Sequence, residues 1–409
     1  MELSFLGGAS QVGSLGMVLR GNGRTLLFDY GITPADPPSY PRPAPRVDSI
    51  FLSHAHVDHS GMVPRAAADS RCPVHCTPLT AEVAGILLED TAKIARTEGY
   101  TEPYGDAELR WTADNFVDHN WGERIGMSGL EVKSHKAGHI PGASMYTVDD
   151  GAGTLLFTGD INTIDTNLVG KAGPVECNTL VMESTYAGRE HQPRKAIERA
   201  FLARVEEVVD RGGLAVVPTF AVGRTQEVLL LLERTGLEVW VDGMGKRITG
   251  LYLDYYEYLA DHRKMGRAFG KANKVRAPAS RERALRGDVV VTTSGMLDGG
   301  PVLEYLRNVR KDPKSAVLLT GYQVEGTNGR RLLEERQVDF AGVVQPVETE
   351  VFFFDLSAHA GHSQLVEFAH RCRPDRVVLM HGDNRGELGE ALSPDFEVHM
   401  PVEGETLDI

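Results

Sequence analysis

The chain has 409 residues, of which 42% are hydrophobic and 24% charged, as expected for a globular protein with room for two or three domains. No stretch approaches the roughly 18 apolar residues of a membrane span, and no basic segment precedes an apolar run at the start, so we predict a cytoplasmic protein with no membrane partner. The net charge of −14 argues against a protein that coats nucleic acid nonspecifically.

The distribution of charge and of cysteine narrows the choice further. Residues 185–349 carry a net charge of +4, whereas the rest of the chain carries −18. An acidic body with a mildly basic insert is suited to binding a polyanion on one side, although solvated surface charge explains the pattern equally well. The four cysteines lack the spacing of a zinc knuckle, so we predict free buried thiols.

The predicted elements change in character along the chain. Short apolar strands joined by Gly-rich turns occupy the first 160 residues, at 25–28, 49–52 and 154–157, with one helix at 80–98 whose buried face would include Ile94. After residue 186, helices at 194–211 and 225–234 alternate with strands at 214–217, 238–241, 289–292 and 316–319. This alternation predicts a parallel sheet in a separate α/β unit. Strands return at 351–354 and 376–380.

The strongest local motif directly follows the strand predicted at 49–52. Four potential metal ligands lie within six residues, and they are His54, His56, Asp58 and His59. Successive side chains of an extended or turning backbone point to opposite sides, so His54 and His56 can share one ion while Asp58 and His59 reach a second. Imidazole nitrogen and carboxylate oxygen suit zinc.

Three later or earlier residues complete this set. His139 lies in a Gly-rich loop that allows a close approach, and Asp160 ends the strand predicted at 154–157. A carboxylate has two oxygens and can bridge two ions. Asp29, at the end of the strand predicted at 25–28, is a natural carboxylate to orient one of the ligands.

The order of these residues resembles motifs one to four of the metallo-β-lactamase superfamily. The resemblance implies that His54, His56 and His139 hold one zinc ion, that Asp58 and His59 belong to a second, and that Asp160 bridges the two. It implies an αββα sandwich. It says little about the substrate.

Three further segments resemble motifs A, B and C of the β-CASP nucleases, a branch of that superfamily that includes RNase J. Glu183 ends a strand in Val-Met-Glu-Ser-Thr-Tyr, His359 lies in Leu-Ser-Ala-His-Ala, and His381 lies in Leu-Met-His-Gly-Asp. The resemblance implies that His381 ligates the second ion. It also implies that His359 protonates the leaving oxygen and that Glu183 holds His359. A histidine at motif C favours RNA over DNA.

The resemblance covers nearly the whole chain and is typical of archaeal cleavage-and-polyadenylation-factor-like proteins without KH domains. It implies an α/β fold in which a metallo-β-lactamase domain (1–184 and 350–409) is interrupted by an α/β β-CASP domain (185–349), with the catalytic groove between them. The chain departs from its relatives at Gln11–Ser14 and at Gly361 and His362, where an acid is more usual.

The sequence predicts an endonuclease of RNA processing or decay that hydrolyses RNA with a hydroxide activated by two zinc ions, giving 5′-phosphate and 3′-hydroxyl products. Asp58, Glu183 and His359 are the predicted catalytic residues, and Ser294, Arg330 and His362 are candidate contacts for RNA phosphates. The expected partners are single-stranded RNA and a second copy of the chain, through the apolar tail 396–409. An internal edge strand explains that tail equally well. The alternatives are a 5′–3′ exoribonuclease and a non-catalytic scaffold subunit of an RNA-processing complex.

Overall fold

The structure is a computed structural model that describes residues 1–409. It contains 22 strands, which are β1 (Glu2–Gly7), β2 (Gly16–Gly21), β3 (Arg24–Phe28), β4 (Ser49–Phe51), β5 (Val74–Cys76), β6 (Phe116–Asp118), β7 (Arg124–Met127), β8 (Leu130–Lys136), β9 (Ser144–Asp149), β10 (Thr154–Phe157), β11 (Thr179–Glu183), β12 (Ala215–Pro218), β13 (Val239–Asp242), β14 (Asn273–Lys274), β15 (Val289–Thr292), β16 (Ala316–Leu319), β17 (Gln337–Asp339), β18 (Val344–Pro346), β19 (Glu350–Phe353), β20 (Arg376–Met380), β21 (Glu397–His399) and β22 (Thr406–Asp408). Its 13 α-helices are α1 (Val57–Ser60), α2 (Val63–Ser70), α3 (Pro78–Glu98), α4 (Asp106–Asp114), α5 (Arg194–Asp210), α6 (Arg224–Leu232), α7 (Gly245–Asp254), α8 (His262–Lys271), α9 (Pro278–Ala284), α10 (Val302–Val309), α11 (Asn328–Glu335), α12 (His362–Cys372) and α13 (Arg385–Leu392).

The first of two compact units comprises Met1–Asp165, Gly170–Glu190 and Ala358–Ile409. It contains two seven-stranded sheets, with strand orders β22-β1-β2-β3-β4-β5-β6 and β21-β20-β11-β10-β9-β8-β7. Apolar side chains of both sheets form one core, in which Phe28 of the first sheet lies 5.3 Å from Phe157 of the second, measured between ring centroids. Burying two apolar sheet faces against each other produces the sandwich.

Parallel pairing brings several strand ends of this unit to common edges. In the first sheet β3 and β4 are parallel neighbours, and in the second β11 pairs in parallel with both β10 and β20. The carboxyl ends of these strands lead directly into the segments that carry the predicted metal ligands. Side chains far apart in sequence therefore follow neighbouring strand ends.

The second unit comprises Thr166–Val169 and His191–Ser357. Its six-stranded sheet, in the order β14-β13-β15-β12-β16-β19, is parallel throughout. Its strands read as continuous buried runs, such as Val289–Thr292, because helices pack on a parallel sheet. The predicted fold class, a metallo-β-lactamase sandwich with an inserted α/β domain, is confirmed.

Local details of the first unit differ from the expectations or choose between them. Ile94 is 50% exposed, so the predicted face of the helix is wrong there: α3 instead buries small residues such as Ala84, Ala92 and Ala95, which permit close packing. The tail supplies the internal edge strands β21 and β22, which pair with β20 and β1. All four cysteines are free and buried, as predicted.

A buried carboxylate at the end of β13 stabilises the second unit. Asp242 is 3% exposed and accepts hydrogen bonds from Arg281 Nε (2.8 Å), from the Tyr305 hydroxyl (3.1 Å) and from the backbone N–H of Gly243 (2.7 Å). Burial raises the pKa of Asp242, but these donors and the charges of Arg281 and Lys246 outweigh burial and lower the pKa below its usual value.

We expect Asp242→Asn to lower the free energy of unfolding by about 3 kcal/mol at pH 7, because it leaves the partly buried Arg281 charge without this partner. The matched control is Glu304→Gln, which removes the more exposed partner of the same arginine and should cost under about 1 kcal/mol. Since the folded pKa is depressed, the wild-type advantage exists above the unfolded pKa of about 3.9 and disappears as the pH falls through the lower folded value. Urea denaturation at several pH values tests this; equal effects of the two substitutions at pH 7 would contradict it.

Candidate metal centre

The predicted ligands of the first unit follow strand ends, in irregular segments that the local backbone constrains. The segment after β4 turns into α1 at Val57, so His54 and His56 precede the helix while Asp58 and His59 lie within it. Its close approach to β3 requires glycine at position 31, where a Cβ atom would lie 1.7 Å from the carbonyl oxygen of Asp58. Asp29 and His381 both have positive φ angles, of 55° and 52°, which are uncommon for residues other than glycine. Such backbone conformations cluster at functional sites.

Four of the predicted side chains form a first cluster. His56 Nδ1 lies 3.0 Å from His54 Nε2 and 3.1 Å from His139 Nε2. Asp160 Oδ2 lies 3.6 Å from His54 Nε2 and 3.7 Å from His139 Nε2. The cluster therefore brings together three nitrogens and one oxygen from four separate points in the sequence.

The remaining predicted ligands form a second cluster on the other oxygen of the same carboxylate. Asp160 Oδ1 lies 3.3 Å from His59 Nε2 and 3.8 Å from His381 Nε2. Asp58 Oδ2 lies 3.9 Å from His59 Nε2 and 3.7 Å from His381 Nε2. Each oxygen of Asp160 thus faces a different cluster, which is the arrangement that a bridging ligand requires.

Distances in both clusters, and unmet hydrogen bonds in the second, fit divalent cations. Ligands held at ~2.0–2.2 Å by a tetrahedral ion lie ~3.3–3.6 Å from one another, close to the separations observed here. His59 Nε2 and Asp160 Oδ1 are buried and have no hydrogen-bonding partner. A cation between such atoms would satisfy both.

The electrostatic environment also favours cations. Burial lowers the pKa values of His54 and His139 well below the ordinary value, which leaves neutral imidazoles with a lone pair to offer. Burial also lowers the pKa of His59, but the charges of Asp160, Asp58 and Asp29 outweigh it and raise the pKa well above its ordinary value. Positive charge is stabilised at this position.

Neighbouring groups orient the imidazole rings. Asp29 Oδ2 lies 2.7 Å from His59 Nδ1, and Asp29 also accepts hydrogen bonds from the backbone N–H and the hydroxyl of Ser53, both at 2.7 Å. His139 Nδ1 donates to the carbonyl oxygen of Ala358 at 2.9 Å, which leaves Nε2 free of its proton. Asp29 was predicted in this role. Ser53 and the Ala358 carbonyl were not, although a serine directly before the histidine motif is a signal that could have been used.

Glu183 and His359 lie beside the first cluster. Glu183 is fully buried at the end of β11, and its carboxylate oxygens lie 3.1 and 3.3 Å from His359 Nδ1. His359 Nε2 lies 3.9 Å from Asp160 Oδ2. Burial lowers the pKa of His359, but Glu183 and Asp160 outweigh it and raise the pKa to about 9. These carboxylates favour the protonated imidazole.

None of the three candidate phosphate contacts belongs to either metal cluster. Ser294 and Arg330 belong to the second unit, where Arg330 pairs with Glu334 at 2.5 Å. His362 begins α12 in the first unit, and its Nδ1 accepts a hydrogen bond from the backbone N–H of Gly188 at 3.0 Å.

Comparison with known families decides the class of this centre. Residues 11–219 match the metallo-beta-lactamase superfamily. The chain belongs to this superfamily. Residues 225–332 match the Beta-Casp domain, and residues 344–400 match the Zn-dependent metallo-hydrolase RNA specificity domain. The predicted family is confirmed, and membership implies that the His and Asp clusters bind divalent metal.

Three archaeal proteins are similar to this chain over most of its length. The chain is 32% identical to a probable RNase of Methanocaldococcus jannaschii, named MJ4, with both chains fully covered. It is 35% identical to the RNase aCSPSF2 of Saccharolobus solfataricus, over all of this chain and 85% of the relative. It is also 30% identical to the transcription termination factor FttA of M. jannaschii, over 94% of this chain and 67% of that protein.

A solved structure supports the fold alone. A protein of unknown function from Enterococcus faecalis is 14% identical, with a TM-score of 0.66 over 100% of this chain and 99% of that one. None of the helices combines the length and the apolar composition that a membrane crossing needs.

The two clusters predict how single substitutions change metal content. We expect His381→Ala to reduce bound divalent metal from about two ions per chain toward one, because it removes one ligand atom of the second cluster only. Asp160→Ala should reduce it further, since both clusters lose an oxygen. The control is His370→Ala, a 43%-exposed surface histidine, which should keep the wild-type content. Elemental analysis of purified protein measures this, and full metal occupancy in Asp160→Ala would rule out the bridging role.

Proposed function

We propose that this protein is a zinc-dependent ribonuclease that cuts RNA internally, by hydrolysis that leaves a 5′-phosphate and a 3′-hydroxyl. The observation that carries the proposal is the Glu183–His359 pair beside Asp160, because a protonated imidazole next to a metal centre supplies the acid that phosphodiester cleavage needs. Relatives named as ribonucleases and the match to an RNA specificity domain support RNA as the substrate.

In this proposal each of the two side-chain clusters binds one zinc ion. His54, His56, His139 and Asp160 would hold one zinc ion, and Asp58, His59, His381 and Asp160 would hold the other. Nitrogen and oxygen donors without thiolates suit zinc in a catalytic site. When bound, the two ions supply Lewis acidity toward phosphate oxygens and lower the pKa of water.

The side chains of this unit determine how a substrate approaches. Three residues that face the clusters are partly exposed: the side chains of Asp58 (24%) and His359 (19%), and His56. His54, His59 and Asp160 are at most 3% exposed. We infer that the phosphodiester reaches the centre on the side of His56, Asp58 and His359. The buried residues exclude water from the rest of the site, which strengthens the electrostatic interactions there.

His359 then acts on the leaving group. Its Nδ1 faces Glu183, so the proton that it can transfer is on Nε2. We infer that Nε2 donates this proton to the 3′-oxygen as the bond from phosphorus to that oxygen breaks, since an alkoxide is a poor leaving group. Glu183 orients the ring and stabilises its positive charge. The 2′-hydroxyl takes no part.

We expect His359→Ala to reduce the rate of RNA cleavage by about 10²- to 10⁴-fold while metal content stays at the wild-type level, because His359 donates a proton and is not a ligand. The assay uses end-labelled linear RNA and circular RNA of the same sequence, with and without a chelator. Cleavage of the circle identifies an endonuclease, and cleavage of linear RNA alone identifies an exonuclease.

His370→Ala is the matched control and should cleave both RNAs at the wild-type rate. Loss of metal from His359→Ala would show that His359 is a ligand. Absence of chelator-sensitive cleavage of either RNA by a wild-type protein that holds its metal would contradict the proposed function and favour a scaffold role.

A further inference from the structure

A short set of hydrogen bonds joins the segments that follow Glu183 and His359. The backbone N–H of Gly188 donates to His362 Nδ1 at 3.0 Å, and the backbone N–H of His362 donates to the carbonyl oxygen of Arg189 at 2.9 Å. The backbone N–H of Ser363 donates to Glu190 Oε1 at 2.9 Å. We call this set the 188–363 clasp, and it lies entirely within the first unit.

The local sequence explains why the clasp forms. Gly361, which precedes α12, has no side chain to accept a hydrogen bond from the first turn of the helix. Glu190 supplies that acceptor from the other segment, and its negative charge suits a helix N-terminus. Gly188 has a φ of +74°, a backbone conformation that glycine adopts without strain, so the turn favours glycine.

The clasp determines which ring nitrogen of His362 carries the proton. Because Nδ1 accepts a hydrogen bond from the backbone N–H of Gly188, Nδ1 carries no proton, and the neutral ring is protonated on Nε2. The ring nitrogen nearest the backbone is therefore engaged within the protein.

The segments joined by the 188–363 clasp lie next to His359. His359 lies in an irregular segment between β19 and α12, where the backbone N–H of Ala360 donates to the carbonyl oxygen of Ile161 at 2.8 Å. On the other side the clasp begins, three residues after His359. The clasped turn also contains Tyr186, whose ring centroid lies 5.9 Å from that of His359. If the turn after Glu183 loosened, both Tyr186 and the backbone of His359 would be free to move.

We propose that His362 is a positioning residue: by accepting the Gly188 N–H through Nδ1, it holds the turn after Glu183 against the start of α12 and so keeps the Glu183–His359 pair in place. This inference rests on the proposed function for its effect on catalysis. Direct contact of His362 with an RNA phosphate, expected from the sequence, is the competing role, and it would use Nε2.

Two isosteric substitutions separate these roles. The Asn oxygen is bonded to the γ-carbon, as Nδ1 is, whereas the Gln oxygen reaches the position of Nε2. We expect His362→Ala and His362→Gln to lower kcat by about 3- to 10-fold with KM unchanged, because the reacting groups are less well placed. His362→Asn should restore kcat to within about 2-fold of wild type.

Hydrogen exchange provides a readout that does not depend on activity. Peptides covering residues 186–190 should exchange faster in the Ala and Gln variants and at the wild-type rate in the Asn variant, with metal content unchanged in all three. If the variants show this exchange pattern but the wild-type protein cleaves no RNA, the proposed function is contradicted while the positioning role of the clasp is supported.

Two results would overturn the positioning role. One is a raised KM in the Ala and Asn variants that Gln restores, which would assign His362 to phosphate binding through Nε2. The other is an exchange rate and a kcat equal to those of wild type in all three variants, which would show that the Gly188–His362 hydrogen bond positions nothing.

Discussion

The carboxylate of Asp160 is the interaction on which the centre depends. Its two oxygens face separate groups of ligand atoms, at 3.6–3.7 Å on one side and 3.3–3.8 Å on the other. The same oxygen that faces the first cluster also lies 3.9 Å from His359 Nε2. One side chain therefore links both clusters to the proposed acid, and a displacement of Asp160 would disturb all three.

The sandwich supplies the rigidity that this shared carboxylate requires. Asp160 follows β10, Glu183 ends β11 and His381 follows β20, and these three strands are parallel neighbours in one sheet. Asp29 and His54 follow β3 and β4, which are parallel neighbours in the other. Fully buried aromatic side chains, among them Phe28, Phe51 and Phe157, fill the space between the sheets and hold these strand ends in register.

Fold and chemistry carry different information here. The fold persists in a protein of only 14% identity, so the sandwich by itself cannot assign a substrate. The assignment to RNA rests instead on the relatives named as ribonucleases and on the matched RNA specificity domain. The 188–363 clasp adds a feature of this particular chain, since it depends on the sequence Gly361-His362-Ser363.

The sequence by itself determined the class of the fold and predicted the candidate metal ligands, because histidines and aspartates directly after short apolar strands are a local pattern. It also determined the alternation of helices and strands in the second unit, since buried parallel strands are continuous apolar runs. Tertiary structure alone decided that the tail forms internal edge strands, and that Ser53 and the Ala358 carbonyl orient the imidazoles. It also decided which nitrogen of His362 is engaged. Each of these depends on contacts between residues far apart in the chain, and the direction of a side chain across such a contact is set by packing.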